Sequence, residues 1–194
     1  MTIAAADIAA MQDARTRDWH EQGADIRGDG LLRLAEENHW RNFSLWHEED
    51  KARRDDMGAD YVYRAKRAID GYNQQRNNFI EKMDELLFTG LGPFADALPM
   101  NSETPGMIID RLSILSLKRF HMWEETVRED ASAEHVAACK HKLAVIERQR
   151  DDLAAALDTL LADAAAGRRG FRVYYQFKMY NDPALNPELY RKAK

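Results

Sequence analysis

The chain has 194 residues, 45% hydrophobic and 31% charged, with a net charge of −5. That describes one globular domain over residues 1–194 and excludes a general binder of nucleic acid or of an anionic membrane. A lone cysteine, Cys139, excludes an internal disulfide framework, and no run approaches the roughly 18 apolar residues of a membrane span.

Residues 3–21 read as a short alanine-rich amphipathic helix, part of an N-terminal extension over 1–30. Met1–His20 has neither the basic nor the apolar region of a signal peptide, which with the single thiol points to the cytoplasm. Gly23, Gly28 and Gly30 mark a turn. A second helix is expected from about Leu31 to Asp56, broken by Gly58, and a third from Ala59 to about Thr89. Gly90 to Pro93, then Pro99 to Ser102, read as a loop. Thr104 can cap a fourth helix with Pro105 in its first turn, ending near Glu129. Ser132 opens a fifth, which Gly167 and Gly170 end. Its stripe predicts Leu143, Ile146, Leu153 and Leu157 as core, with Cys139 a buried, inert thiol. The fold class expected is therefore all-α, an antiparallel bundle of four long helices with a short N-terminal helix. Residues 171–194 form an irregular C-terminal tail. Phe171 to Tyr180 could be strand, helix or coil, and Asp182-Pro183 and Asn186-Pro187 impose turns. Residues 1–60 carry 8 basic and 14 acidic side chains and residues 168–194 carry 7 and 2, so the tail is expected to dock on the acidic front half, the alternative being that it meets an anionic ligand.

The helical stripes are interrupted by polar groups. The second helix runs Leu32, Ala35, His39, Asn42, Trp46, Glu49, Arg53; the third Val62, Ala65, Ile69, Tyr72, Arg76, Phe79, Met83, Leu86; the fourth Met107, Asp110, Ile114, Leu117, His121, Glu124. Steps of three and four residues place these groups toward neighbouring helices. Burying even a neutral polar group without a partner costs roughly 2–7 kcal/mol. They must therefore satisfy one another, or meet water or a ligand, and His39, Arg76, Asp110 and His121 are expected to converge.

Several strings resemble one bacterial family of unknown function, the one numbered 4254. They are Asn42 to Arg53 (NFSLWHEEDKAR), Lys66 to Asp70, Asn73 to Asn77, Ser102 to Gly106, Asp110 to Ile114 and Lys178 to Pro183. The resemblance covers residues 35 to 190 and leaves the first thirty outside. It implies no activity. It implies a place in cell-surface polysaccharide metabolism, because genes of that family tend to lie beside sugar-transfer genes.

Three clusters carry candidate chemistry. Glu36-x-x-His39, with His121-x-x-Glu124 in reverse order, resembles an incomplete di-iron pattern. Glu81-x-x-Asp84, facing Glu48, Glu49 and Asp50, resembles the magnesium carboxylates of helical pyrophosphatases. The cations Arg53, Lys66, Arg67, Arg76, Arg111, Lys118 and Lys178 suit phosphate or carboxylate, with Asn42 and Asn77 as amide donors and Trp46 and Tyr72 as stacking surfaces. For Arg76 the plain alternative is a salt bridge to Asp110 or Glu49. No catalytic triad, P-loop or dinucleotide fingerprint is present. The leading expectation is an anion-binding protein, with possible turnover of a sugar phosphate or nucleotide sugar. Arg76 and Arg111 hold the anion, His39 or His121 carries a proton, and Asp110 or Glu49 orients it. The alternatives are a non-enzymatic adaptor on a glycosyltransferase, or a metal-dependent hydrolase. Cofactor and oligomeric state are left unassigned, and no metal ligand is chosen.

Overall fold

In the computed structural model, residues 4–191 are described; Ile3, expected to start the first helix, and the basic Lys192 and Lys194 lie outside them. The long helices are α1 (Ala5–Gln22), α2 (Gly30–Lys51), α3 (Ala59–Leu91), α4 (Pro105–Thr126) and α5 (Ala133–Ala165), followed by the single turn α6 (Pro187–Tyr190). Two residue pairs, β1 (Met100–Asn101) and β2 (Gly170–Phe171), form a parallel ladder. The described chain is thus all-α, and none of its helices is long and apolar enough to cross a membrane.

The helix starts follow the local chemistry. The Thr104 hydroxyl accepts from the Met107 amide with Pro105 at the first position, and Ser132 accepts from the His135 amide. The α2 end differs from the expectation. The helix stops at Lys51 rather than Asp56, because the chain must reverse before Gly58, whose φ of 86° only glycine adopts readily. The Arg54 fork on Asp56, at 2.8 and 2.7 Å, holds that turn.

Contact register shows how the helices run. Leu45 and Ala52 cluster with Ala65 and Ile69, so α2 and α3 are antiparallel. Asp84 reaches Gly106 while Arg76 reaches Asp110, so α3 and α4 are too, and Arg119 meets Glu147 while Glu125 meets His135 between α4 and α5. Helix α1, in the region 1–30 read as an N-terminal extension, packs into the core. Thr16 meets His39 and His20 packs on Phe43 and His47, so α1 runs parallel to α2. The glycine-rich segment 23–29 is a return path rather than a tight turn, pinned where the Arg27 and Gly28 amides donate to Glu36 at 2.9 and 2.8 Å. Ala5, Ile8, Ala9, Gln12, Thr16 and Trp19 are all buried.

The main core joins Ile8, Ala35, Met83, Ile109, Leu112, Leu157 and Leu160. Leu153, Leu157 and Cys139 are buried as expected, but Leu143 and Ile146 are only half-buried. The N-terminal half of α5 lies mainly on α4, with α1 reached by Arg150, whose guanidinium donates to the Ala9 carbonyl at 2.7 Å and pairs with Asp13. Among the described residues, the tail's ion pairs are not with residues 1–60: Arg168 and Arg169 pair with Asp163 and Arg172 with Asp96. After β2 the tail lies along α3, where Tyr175 donates to Glu85 at 3.1 Å and the Gln176 amide to Glu81 at 2.8 Å.

Helices α3 and α4 approach closely at Gly106. A Cβ there would lie 2.5 Å from the Ile80 carbonyl oxygen and 2.8 Å from Asp84 Oδ1. Gly71, on an open stretch of α3, has nothing within 4 Å. Gly106→Ala should therefore cost about 2 kcal/mol and lower the melting midpoint by roughly 5 °C. Gly71→Ala should gain up to about 0.8 kcal/mol from helix propensity. Equal thermal shifts for the two variants would contradict this packing.

Candidate functional site

A polar spine crosses the middle of the structure from α1 to α3. Its centre is Asp110 of α4, 2% exposed. Oδ1 accepts from Asn38 and Asn42 at 3.0 and 2.9 Å and from Arg76 Nε at 2.7 Å, and Oδ2 accepts from Arg76 Nη2 at 2.5 Å. The bidentate fork from α3 and two amides from α2 leave the carboxylate fully engaged. Pairing with Asp110 in turn raises the Arg76 pKa.

The spine continues through His39, which is fully buried. The Thr16 hydroxyl donates to the Gln12 carbonyl at 2.9 Å, so its oxygen is left to accept from His39 Nε2 at 3.0 Å. The other ring nitrogen, Nδ1, then accepts from Ser113 at 2.7 Å, and Ser113 accepts from Asn42 at 3.0 Å. This order of donors requires a neutral imidazole, and burial lowers the His39 pKa to about 3. The expected proton carrier at His39 is therefore corrected: both nitrogens are engaged inside the core and none faces a ligand.

Above Asp110 the three helices part to leave a cavity of about 360 Å³. Asn42, Trp46, Glu49 and Asp50 of α2 and Arg53 just after it line one wall and Asn73 and Arg76 of α3 the other, with Ile114 and Leu117 of α4 at the base. Arg76 reaches it with the guanidinium edge not spent on Asp110. Arg53, 68% exposed, is steered by the Glu49 carboxylate at 2.9 Å and by the Glu49 carbonyl. At the rim His121 stacks on Trp46, ring centroids 4.6 Å apart, and lies edge-on to His20 and His47. The His121 Nδ1 is 2.8 Å from Glu124, while its Nε2 is buried without a partner. Burial, with His20 and His121 nearby, lowers the His47 pKa.

The structure thus brings together Asn42, Trp46, Glu49, Arg53 and Arg76 around a cavity, with Asp110 beneath and His121 at the rim. It does not bring the rest there. Arg67 is exposed and pairs with Asp70. Arg111 pairs with Glu103, and together with Lys118 it lines a different groove, between α4 and α5. Asn77 is half-buried outside the cavity lining, Lys66 is exposed, and Lys178 sits half-buried in the tail beyond Gln176. The sequence reading missed Asn38, Asn73 and Ser113; Asn38 had a signal, since it lies one turn before Asn42 on the same face.

Neither metal pattern assembles. Glu36 is buried under Arg15 and the loop amides of Arg27 and Gly28, a loop anchor facing away from His121 and Glu124. Asp84 caps α4, accepting from the Thr104 hydroxyl and from the Gly106 amide at 2.7 Å, while Glu81 is taken by the tail. Burial pushes the Asp84 pKa up to about 6 despite those two bonds.

A family model described as "Protein of unknown function (DUF4254)" matches residues 32–173. No curated protein matches the chain, and no solved structure does.

Arg76→Ala would strand a buried carboxylate and should cost about 3 kcal/mol in chemical denaturation. A loss below about 0.5 kcal/mol would show that Asp110 does not depend on it. Two buried groups also set opposite pH dependences. His39 stays neutral in the fold, so its contribution is present above about pH 6.5 and is lost as pH falls toward 3. Asp84 has a raised pKa, so its contribution is present below about 4 and is lost as pH rises through 6. Between pH 6 and 4 they offset each other. Asp84→Asn should therefore steepen the acid loss of stability in that window, by up to about 1.4 kcal/mol per pH unit; an unchanged slope would count against the Asp84 assignment.

Proposed function

The chain belongs to the DUF4254 family, whose function is unknown, and we propose that its α2–α3–α4 cavity binds an anionic, hydroxyl-rich small molecule, a sugar phosphate or nucleotide sugar of cytoplasmic polysaccharide precursor metabolism. The observation that carries this reading is the lining. Two guanidinium edges, Arg53 and Arg76, converge with the amides of Asn42 and Asn73 and the ring of Trp46 on one space of about 360 Å³. That volume lies within the roughly 300–1,000 Å³ common for small-molecule sites. Arginine suits the anion because its planar fork keeps one edge for the ligand while the other holds Asp110. The amides and Glu49 suit hydroxyls, and Trp46 offers an apolar face to a sugar ring or base. Of the two histidines weighed as proton carriers, His121 is the one left to the role: it stacks on the cavity's Trp46, and Glu124 orients its Nδ1.

A non-enzymatic adaptor on a glycosyltransferase is the second reading. It is favoured by the exposed aromatic run of the tail, where Phe177 is 80% exposed and Tyr175 and Tyr180 are about half so.

Titration calorimetry with glucose 1-phosphate and UDP-glucose, against glucose alone, tests the first reading. Wild type should bind a phosphorylated ligand and ignore glucose. Arg53→Ala should weaken that binding about tenfold or more, ~1.4 kcal/mol, while stability changes by less than about 0.5 kcal/mol, since its ion pair is a surface one. Absence of heat with either phosphorylated ligand, or binding indifferent to Arg53→Ala, would overturn it.

A further inference from the structure

At the far end of the α4–α5 hairpin, three ligand-type side chains face one another across the two helices. His135 and Cys139 stand one turn apart on α5, and Glu125 reaches them from the last turn of α4. His135 Nε2 lies 2.7 Å from Glu125 Oε2 and 3.4 Å from Cys139 Sγ, and the three donor atoms all lie within 4.8 Å of one another. Among the described residues no other group of three such side chains meets this condition.

We propose that Glu125, His135 and Cys139 form a binding site for a zinc-class divalent ion, which clips the end of α4 to the start of α5. Metal–nitrogen bonds of about 2.0–2.1 Å and metal–sulfur bonds of about 2.3 Å, at tetrahedral angles, separate those two donors by about 3.5 Å. The nitrogen–sulfur spacing already has that value. The carboxylate must swing out by roughly half an ångström, and the partly exposed Glu125 is held by His135 and Arg128 at one oxygen, Oε2. The donor set selects the metal. A thiolate and an imidazole are soft to borderline ligands that suit zinc and its first-row neighbours, whereas magnesium and calcium take oxygen. Binding replaces the thiol proton, which leaves to solvent, and breaks the hydrogen bond between His135 and Glu125; the Nε2 proton also passes to solvent and Nδ1 carries the one proton of the neutral ring. One thiolate, one carboxylate and a neutral imidazole then balance a 2+ ion with no net charge left over. The groups around the site permit this. Arg128 now donates to Glu125 at 2.8 Å, and it also holds Asp130 at 3.0 Å, to which it can withdraw. Cys139 is buried while His135 and Glu125 are open to solvent, so an ion enters from their side and a fourth position faces water. Three protein ligands and one open position is the arrangement of an exchangeable or reactive centre rather than a closed structural one. This site shares no residue with the α2–α3–α4 cavity.

Cobalt(II) titration of the purified full chain is the test, because thiolate coordination gives an intense charge-transfer band that carboxylate or imidazole alone cannot. The expected result is about one equivalent bound with that band, displaced by zinc, and a melting midpoint raised by zinc. His135→Ala, at a half-exposed position that leaves the fold intact, should weaken cobalt about tenfold or more and remove the zinc-induced rise. Cys139→Ser should remove the band. A titration without a charge-transfer band, or a band and zinc response unaffected by His135→Ala, would overturn the site.

Discussion

One carboxylate, Asp110, imposes most of what is unusual in this structure. An ionised group removed from water is tolerated only when paired and hydrogen-bonded, since the desolvation cost is several kcal/mol per ion. Asp110 sits where α2, α3 and α4 meet, so its partners must come from the other two helices at fixed heights. Arg76 fixes the height of α3 against α4, and Asn38 and Asn42 fix α2 against both. Apolar packing alone would leave each helix free to slide by a turn with little change in buried area. Four directed hydrogen bonds to one side chain remove that freedom. The same fixing props open the space above, because a guanidinium clamped at its inner edge cannot collapse into it.

The spine beyond Asp110 extends this control to α1. Asn42, Ser113, His39, Thr16 and the Gln12 carbonyl form a chain in which each donor has one acceptor. Only one tautomer of His39 satisfies all of it, so the ring is held in one orientation and one protonation state. Gln12 Oε1, at the end, is buried without a partner. That defect lies on the side away from the cavity.

Much of the fold was legible in the chain. Thr104-Pro105 and Ser132 mark the starts of α4 and α5 through chemistry confined to neighbouring residues, and those starts hold. The stripe spacing likewise put Ala35, His39, Asn42 and Asp110 inside and Arg76 beside them. What was not legible depended on distance in space. Whether Glu36 holds an ion or a loop depends on the path of residues 23–29, and glycines permit either a tight turn or an extended return. His39 and His121 looked alike in sequence because each occupies a stripe position. Only the arrival of Thr16 from α1 and Ser113 from α4 separates a sealed ring from one at a rim. Arg111 and Arg76 were both expected to hold the anion, but Arg111 lies one residue past the Asp110 stripe and points to the α4–α5 groove. The cluster of Glu125, His135 and Cys139 spans two helices and a loop, with no spacing that would pair Glu125 with the others before the hairpin closes.

The parallel course of α1 has a consequence for where this domain can be cut. The region matched to the family starts at Leu32, after α1 and its return segment. Yet α1 supplies Ile8 and Trp19 to two core clusters, its amide at Ala5 is held by Asp158 at 2.8 Å, and its Thr16 closes the donor side of His39. A fragment trimmed to the matched region would open a buried imidazole and a buried glutamate to water and bare one flank of α4. The recognisable unit and the cooperative unit are therefore different lengths. A chain built from the matched region alone would have to cover that flank with something else, another subunit or a partner, to keep the Asp110 junction as it stands here.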